Sequence, residues 1–248
     1  MPYEDVWIAV DKDQMHGWWI PADESKRFSV LRGEPAHVLT QPKVMLYFCG
    51  IGNNMGDYNY LARAAALRQL GFSVLVFDYR GYGRSDGDFP SEAQLYADGE
   101  AAWTYLQDEK GIAAEDILLY GESMGGAIAL NLAVNHPDAG GLIMQSTFTS
   151  MAETVKHNPV ANAFPIDWIL HEEFDSAGKI DRLNMPVLFI HGSKDSVVPV
   201  SMSRLMYQKV SGPKRLWIIP EADHVSIYQP IFSYLKAVAQ FTYDFIEK

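Results

Sequence analysis

Two short segments near the start of the chain, Val6 to Val10 and Met15 to Ile20, alternate apolar and polar residues on either side of Asp11 to Asp13. A period of two with a polar turn between predicts an antiparallel hairpin. The stretch from 21 to 42 is polar and interrupted by proline, and is expected to be loop with an irregular strand. From Val44 the pattern changes to short, mostly apolar runs: Val44 to Phe48, Val74 to Phe77, Ile117 to Tyr120, Leu142 to Gln145, 187–191 and 215–219. Runs this short predict strands, and the run that ends at His191 reads as a buried one. Between them, helices are predicted at about 57–70, 91–110, 124–135 and 200–209, with a last one from about 226. Strands alternating with helices predict a mostly parallel sheet of about eight strands, hairpin included, with helices on both faces.

Composition narrows what such a sheet serves. With 248 residues, 48% of them hydrophobic, the chain can bury one substantial core, so 1–248 is expected to be a single domain. A net charge of −11 and a pI near 5.0 leave no clustered Lys and Arg to neutralise phosphates, and no nucleic-acid partner is expected. The single cysteine, Cys49, allows neither a disulfide framework nor a cysteine metal site. His16, His37, His136, His157 and His171 lack the helical H-x-x-x-H spacing of a zinc site, so neither metal nor cofactor is expected. No run approaches the ~18 apolar residues of a membrane span, and no basic-then-apolar leader opens the chain. A cytoplasmic location without an integral membrane segment is the resulting expectation.

Candidate chemistry centres on Gly121-Glu122-Ser123-Met124-Gly125, which follows the apolar run Ile117 to Tyr120 and leads into an Ala/Leu-rich helical segment. A serine between two such glycines, at a strand-to-helix turn, has the pattern of a nucleophile elbow. The turn strains the serine backbone, lifts its hydroxyl clear of the sheet and leaves no room for side chains at the glycines. Serine alone is a poor nucleophile and needs a base and an orienting acid. Asp195 lies in the loop Gly192 to Pro199 after one predicted strand, and His224 ends the loop that starts at Pro220 after the next. Parallel strands bring such loops to one end of a sheet. His224 would then take the Ser123 proton, and Asp195 would fix the imidazole tautomer, with an acyl-enzyme formed and released by water. Asp223 rivals Asp195 for the acid role, and ranks below it because a neighbour in sequence reaches the far side of the ring awkwardly.

With these residues the chain resembles the α/β-hydrolase superfamily, in its compact branch of esterases, thioesterases and serine-peptidase-like enzymes. Besides the elbow, the resemblance rests on Phe48 to Asn54, Asp78 to Gly87, His191 to Asp195 and Ala222 to His224. It implies an α/β-hydrolase fold, with an oxyanion hole made from the backbone N–H groups of Met124 and Ile51. With no long lid or peptide-selecting apparatus in view, the sequence favours an open pocket for a small or medium acyl ester or thioester, with activated esters cut faster than thioesters and both faster than peptides. The family's usual histidine in the loop after the third strand is here Cys49, expected to be a small buried hydrophobe. Where relatives insert a lid, residues 147–181 are expected to form a minimal cap, with Phe148, Phe164, Trp168 and Phe174 helping to line an acyl pocket.

Other readings stay open beside this one. Glu172 and Glu173 could hold a substrate amine, as acidic pairs do in aminopeptidase-like members, although a solvated helix face is the plainer reading. The segment from Val44 to Gly56, then a helix and a strand ending at Asp78, imitates a dinucleotide-binding Rossmann unit with its third glycine one residue late. An inactive scaffold that keeps the three residues is a further alternative. The glycine-rich stretch Asp78 to Asp86 is expected to be structural, with Arg80 or Arg84 paired to Asp78 or Asp86, and His191 is expected to pack at the end of its strand.

Overall fold

Eight strands form one sheet in a computed structural model that describes residues 1–22, 39, 41–157, 172–224 and 231–247. The hairpin is β1 (Glu4–Val10) and β2 (Asp13–Ile20). The others are β3 (Val44–Phe48), β4 (Ser73–Phe77), β5 (Ile117–Glu122), β6 (Gly141–Gln145), β7 (Val187–Gly192) and β8 (Lys214–Ile219). Their order across the sheet is β1-β2-β4-β3-β5-β6-β7-β8. β2 pairs antiparallel with both β1 and β4, and every pairing from β4 to β8 is parallel. This is the α/β-hydrolase fold that the resemblance implies.

Because side chains alternate across a strand, each apolar run feeds two cores. In β3, Val44, Leu46 and Phe48 enter one cluster, while Met45 and Tyr47 enter the other; in β5, Ile117 and Leu119 part from Leu118 and Tyr120 in the same way. Helices α2 (Glu92–Thr104), α3 (Met124–Asn135) and α5 (Val200–Lys209) close the first cluster with Trp103, Ile128, Leu132 and Met206. Helices α1 (Tyr58–Gln69) and α6 (Ile231–Phe245) close the second with Ala64, Leu67, Leu235 and Phe241. Each fully buried large side chain contributes about 1.5–3 kcal/mol, so both faces must be covered for the parallel strands to persist. Helix starts follow local chemistry. Ser91 and Gln94 form a reciprocal capping box at α2, and Asp57 caps α1 by accepting the Asn59 N–H at 2.8 Å.

The helix predicted over about 91–110 runs unbroken to Glu109, its last turn, Tyr105–Glu109, being wider, with the Lys110 N–H donating to the Tyr105 carbonyl at 3.2 Å, just before Gly111 turns the chain at φ 67°. Two expectations need correction. The charges of the Asp78 to Asp86 stretch pair outward and not with one another. Arg80 holds Asp98 of α2 at 2.6 Å and Asp11 of the hairpin at 2.8 Å, Arg84 reaches Asp5 at 3.4 Å, and Asp86 accepts the Gln14 N–H at 3.0 Å. Asp78 instead turns inward to accept the Met55 N–H at 2.6 Å.

The second correction concerns the aromatics of the expected cap segment. Its described part carries α4 (Met151–His157), while Phe148 and Phe174 are buried in the first core cluster, with Phe174 set edge-on to Tyr96 at 6.0 Å. These two aromatics pack in the core, and neither lines the cavity that holds Ser123. Phe164, Trp168 and His171 lie outside the described residues, as do His37, most of 21–42 and the chain from 225 to 230.

Candidate active site

β5 ends at Glu122 and α3 begins at Met124, so Ser123 alone makes the turn, at φ 54° and ψ −120°. A positive φ is strained for serine and persists only where its surroundings enforce it. Here the Ser123 N–H donates to the Gln145 carbonyl of β6 at 2.9 Å, and the Gly126 N–H donates to the Ser123 carbonyl at 3.0 Å. A β-carbon at Gly121 would overlap the Gly125 carbonyl, one at Gly125 the carbonyls of Phe48 and Cys49, and one at Gly126 the Thr147 side chain. The elbow thus lies backbone against backbone on the end of β3. Gly125→Ala is expected to force these elements apart at an overpacking cost of about 1–3 kcal/mol, lowering Tm by roughly 3–10 °C. Thermal denaturation followed by circular dichroism checks this, and an unchanged Tm would mean that the elbow has slack.

The loops after β7 and β8 are stitched to each other. The Lys194 N–H donates to the Ala222 carbonyl at 3.0 Å, and the Glu221 N–H to Ser193 Oγ at 2.9 Å. This sets His224 Nδ1 2.8 Å from Asp195 Oδ2. Asp195 Oδ1 accepts the N–H groups of Val197 at 3.0 Å and Val198 at 2.7 Å. His191, buried at the end of β7 as expected, places Nε2 3.2 Å from Asp195 Oδ2 and 2.8 Å from the Val198 carbonyl. Burial pushes the Asp195 carboxyl upward, but the hydrogen bonds from His191, His224 and the Val198 N–H outweigh it and hold the group well below the usual carboxylate range.

Asp223 is engaged differently. Its Oδ1 accepts the Ser196 N–H and hydroxyl, both at 2.8 Å, and the His224 N–H at 2.7 Å, and these bonds lower its pKa. It fastens the two loops and leaves the far side of the imidazole to Asp195.

Ser123 and His224 line one cavity of about 110 Å³, together with Gly50, Ile51, Asn53, Asp57, Asn59, Tyr60, Arg63 and Glu122. Met124, at the head of α3, has a backbone N–H at a helix start, where such groups lack an intrahelical acceptor. The loop carrying Ile51 is held by Asp78 through the Met55 N–H and by the Tyr79 hydroxyl, which donates to the Cys49 carbonyl at 3.0 Å. Cys49 is buried in the second core cluster, and that burial pushes its thiol pKa well up, which keeps the thiol inert.

Glu172 and Glu173 do not line this cavity. Glu172 accepts the Glu92 N–H at 2.8 Å, and Glu92 in turn accepts the N–H groups of Glu173 at 2.8 Å and Phe174 at 3.0 Å. The segment is clasped to the start of α2, where negative charge is favoured.

Part of the cavity wall carries no motif. Arg63 of α1 donates through Nη2 to Glu122 and through Nε to the Tyr47 hydroxyl at 3.0 Å, and that hydroxyl donates to Glu122 Oε2 at 3.0 Å. All three side chains are buried. Burial works most strongly against the Arg63 charge, yet Glu122 together with Tyr47, Tyr120 and Tyr234 more than compensates, and its pKa is raised. The sequence signal was a lone charge in an apolar setting: Glu122 after Ile117 to Gly121, and Arg63 between Ala62 and Ala64.

An eight-stranded, mostly parallel sheet with a strained serine between β5 and α3 defines an α/β hydrolase. The chain belongs to the family described as serine aminopeptidase, S33 (Hydrolase_4), whose profile matches residues 40–177. An uncharacterized protein of Mycobacterium tuberculosis is 39% identical to it over 173 residues, which is 69% of this chain and 60% of the mycobacterial protein's length. An uncharacterized membrane protein of Saccharomyces cerevisiae is 32% identical over 230 residues, covering 90% of this chain and 74% of the yeast protein. Among solved structures, an esterase of Pyrococcus furiosus superposes with a TM-score of 0.78 at 19% identity, over 99% of this chain and 92% of that one, a likeness of fold. The matched family is one of hydrolases, and the chain spans only part of its mycobacterial relative's length. The glycine loop after β3 that imitates a dinucleotide site forms a wall of the Ser123 cavity. Among the described residues, no helix is long and apolar enough to cross a membrane.

Proposed function

We propose that the chain is a serine hydrolase that cleaves small acyl esters or thioesters through an acyl-enzyme on Ser123, with His224 as base and Asp195 as orienting acid. The observation that carries this reading is the 2.8 Å contact from His224 Nδ1 to Asp195, made by an imidazole that shares one cavity with a serine held at φ 54°. The carboxylate keeps the proton on Nδ1, which leaves Nε2 to take the Ser123 proton as Oγ attacks the acyl carbon. The oxyanion that forms is met by the N–H groups of Met124 and Ile51, and loss of one such donor costs about 10²–10³ in rate. His224 returns the proton to the leaving alcohol or thiol, and water then repeats the sequence to free the acid.

The cavity's size, about 110 Å³, and its polar wall of Asn53, Asp57 and Asn59 favour a short acyl group. Lengthening a chain gains about 0.8 kcal/mol per CH₂ only where that CH₂ is buried in apolar surroundings.

Aminopeptidase activity is the second reading, favoured by the family's description. Against it stands the use of Glu172 and Glu173 at the start of α2, away from Ser123. A matched panel of acyl p-nitrophenol, acyl thioester and aminoacyl nitroanilide substrates separates the two. The expected order of kcat/KM is ester, then thioester, then amide, with acetyl and butyryl above octanoyl. A kcat/KM highest for the aminoacyl amide would overturn the esterase reading in favour of a peptidase.

A further inference from the structure

The cavity beside Ser123 contains a buried ion pair that the proposed chemistry does not use. The pair and the tyrosine hydroxyl that bridges it come from three places in the chain that flank the catalytic loops. Tyr47 lies on β3, just before the loop that carries Ile51; Arg63 lies on α1, just after that loop; and Glu122 is the residue before Ser123. The contacts close into a ring, Arg63 to Glu122, Arg63 to Tyr47 and Tyr47 to Glu122. A second hydrogen-bonded chain continues behind it, with the Tyr234 hydroxyl of α6 donating to Tyr120 at 3.1 Å and Tyr120 donating to Gln145, whose carbonyl holds the Ser123 N–H.

Such a pair is an expensive way to fill a core. Desolvation cancels much of the attraction between buried charges, and well-placed apolar residues of similar volume serve stability as well or better. What an ion pair adds is geometry, because the guanidinium fork accepts its partners in few orientations. Geometry is what this position needs. The N–H groups of Ile51, in the loop after β3, and of Met124, at the head of α3, must converge on one oxygen, and a misplacement of about 1 Å costs on the order of 10²-fold in rate. Charge matters as well. A carboxylate beside Ser123 would oppose the negative charge that develops on the oxyanion, and Arg63 neutralises it.

We infer that Arg63 and Glu122, with Tyr47, are positioning residues that clamp the Ile51 loop to the Ser123 elbow and keep the charge beside the oxyanion balanced. This rests on the reading of Ser123 as nucleophile. None of the three is assigned contact with the reacting atoms; they act through the placement of the two backbone donors.

The test compares Arg63→Met, Arg63→Lys and the apolar pair Arg63→Met/Glu122→Leu with wild type. Active sites are first counted with a fluorophosphonate probe, and kcat and KM for p-nitrophenyl acetate are then measured per labelled site. Breaking one partner of a buried pair can unfold a protein, so the apolar pair, which strands no charge, decides the question. It is expected to keep a Tm near wild type and a KM within about threefold, while kcat falls roughly 10- to 100-fold. Where Arg63→Met folds, its kcat should lie below that of the double variant, because Glu122 is left unbalanced beside the oxyanion. Arg63→Lys, which restores the charge without the fork, should recover part of the loss relative to Arg63→Met. A double variant with wild-type kcat would overturn the inference and leave the pair as core filling alone. A wild-type chain that takes up no probe would remove the nucleophile reading itself, and this inference with it, so the two failures are told apart by the labelling step.

Discussion

Ser123→Ala is expected to abolish hydrolysis of p-nitrophenyl acetate, lowering kcat by a factor on the order of 10⁴ or more, with Tm changed by no more than about 2–4 °C. The elbow would survive, since alanine keeps the β-carbon and the two backbone hydrogen bonds to Gln145 and Gly126 do not involve the hydroxyl. His224→Ala should cost about as much as Ser123→Ala. Combining them should cost little more, because a nucleophile and its base act as one unit and removing either disables both. Additive losses would show that the two residues work separately, and an alanine variant of Ser123 that keeps most of its activity would place the nucleophile elsewhere. Initial-rate kinetics on folded protein, verified by circular dichroism, are sufficient.

The second large effect concerns the acid. Asp195→Asn is expected to lower kcat by about 10⁴, because the amide can present an N–H to Nδ1 and stabilise the wrong imidazole tautomer. Asp223→Asn should cost at most a few-fold in kcat, and its effect should fall on stability instead, since Asp223 joins Ser196 to the backbone of His224. The two carboxylates differ in burial as well as in partners. Asp195 is fully enclosed, whereas Asp223 is half-buried and serves backbone groups. Kinetics of the two variants side by side check the ranking, and the reverse order would transfer the orienting role to Asp223.

Much of this arrangement was legible in the chain because the fold's parallel strands are short, mostly apolar runs, and each candidate residue stands in the turn or loop after one. Ser123 follows β5, the Asp195 loop follows β7 and the His224 loop follows β8. Local patterning therefore located the loops, and parallel pairing set them at one edge. What patterning does not carry is the direction in which a side chain finds its partner. Phe148 and Phe174 read as apolar, but only packing against α2 shows that they close the core. Arg80 has acidic neighbours within its own loop, yet its partners are Asp98 and Asp11, because the tight turn faces it outward to α2 and the hairpin. The Arg63 and Glu122 pair was hidden for the same reason. Each is a single charge in an apolar run, and their meeting depends on α1 crossing the end of β5, which no local pattern encodes.

The central claim is that Ser123 is activated, and covalent labelling by a fluorophosphonate reads this without a guess at the natural substrate. Wild-type protein should take up one phosphonyl group per chain by intact mass, located on the peptide that contains Ser123. Ser123→Ala should take up none, and His224→Ala should label far more slowly than wild type. A wild-type protein that stays unmodified, or an adduct that persists in Ser123→Ala, would contradict the account.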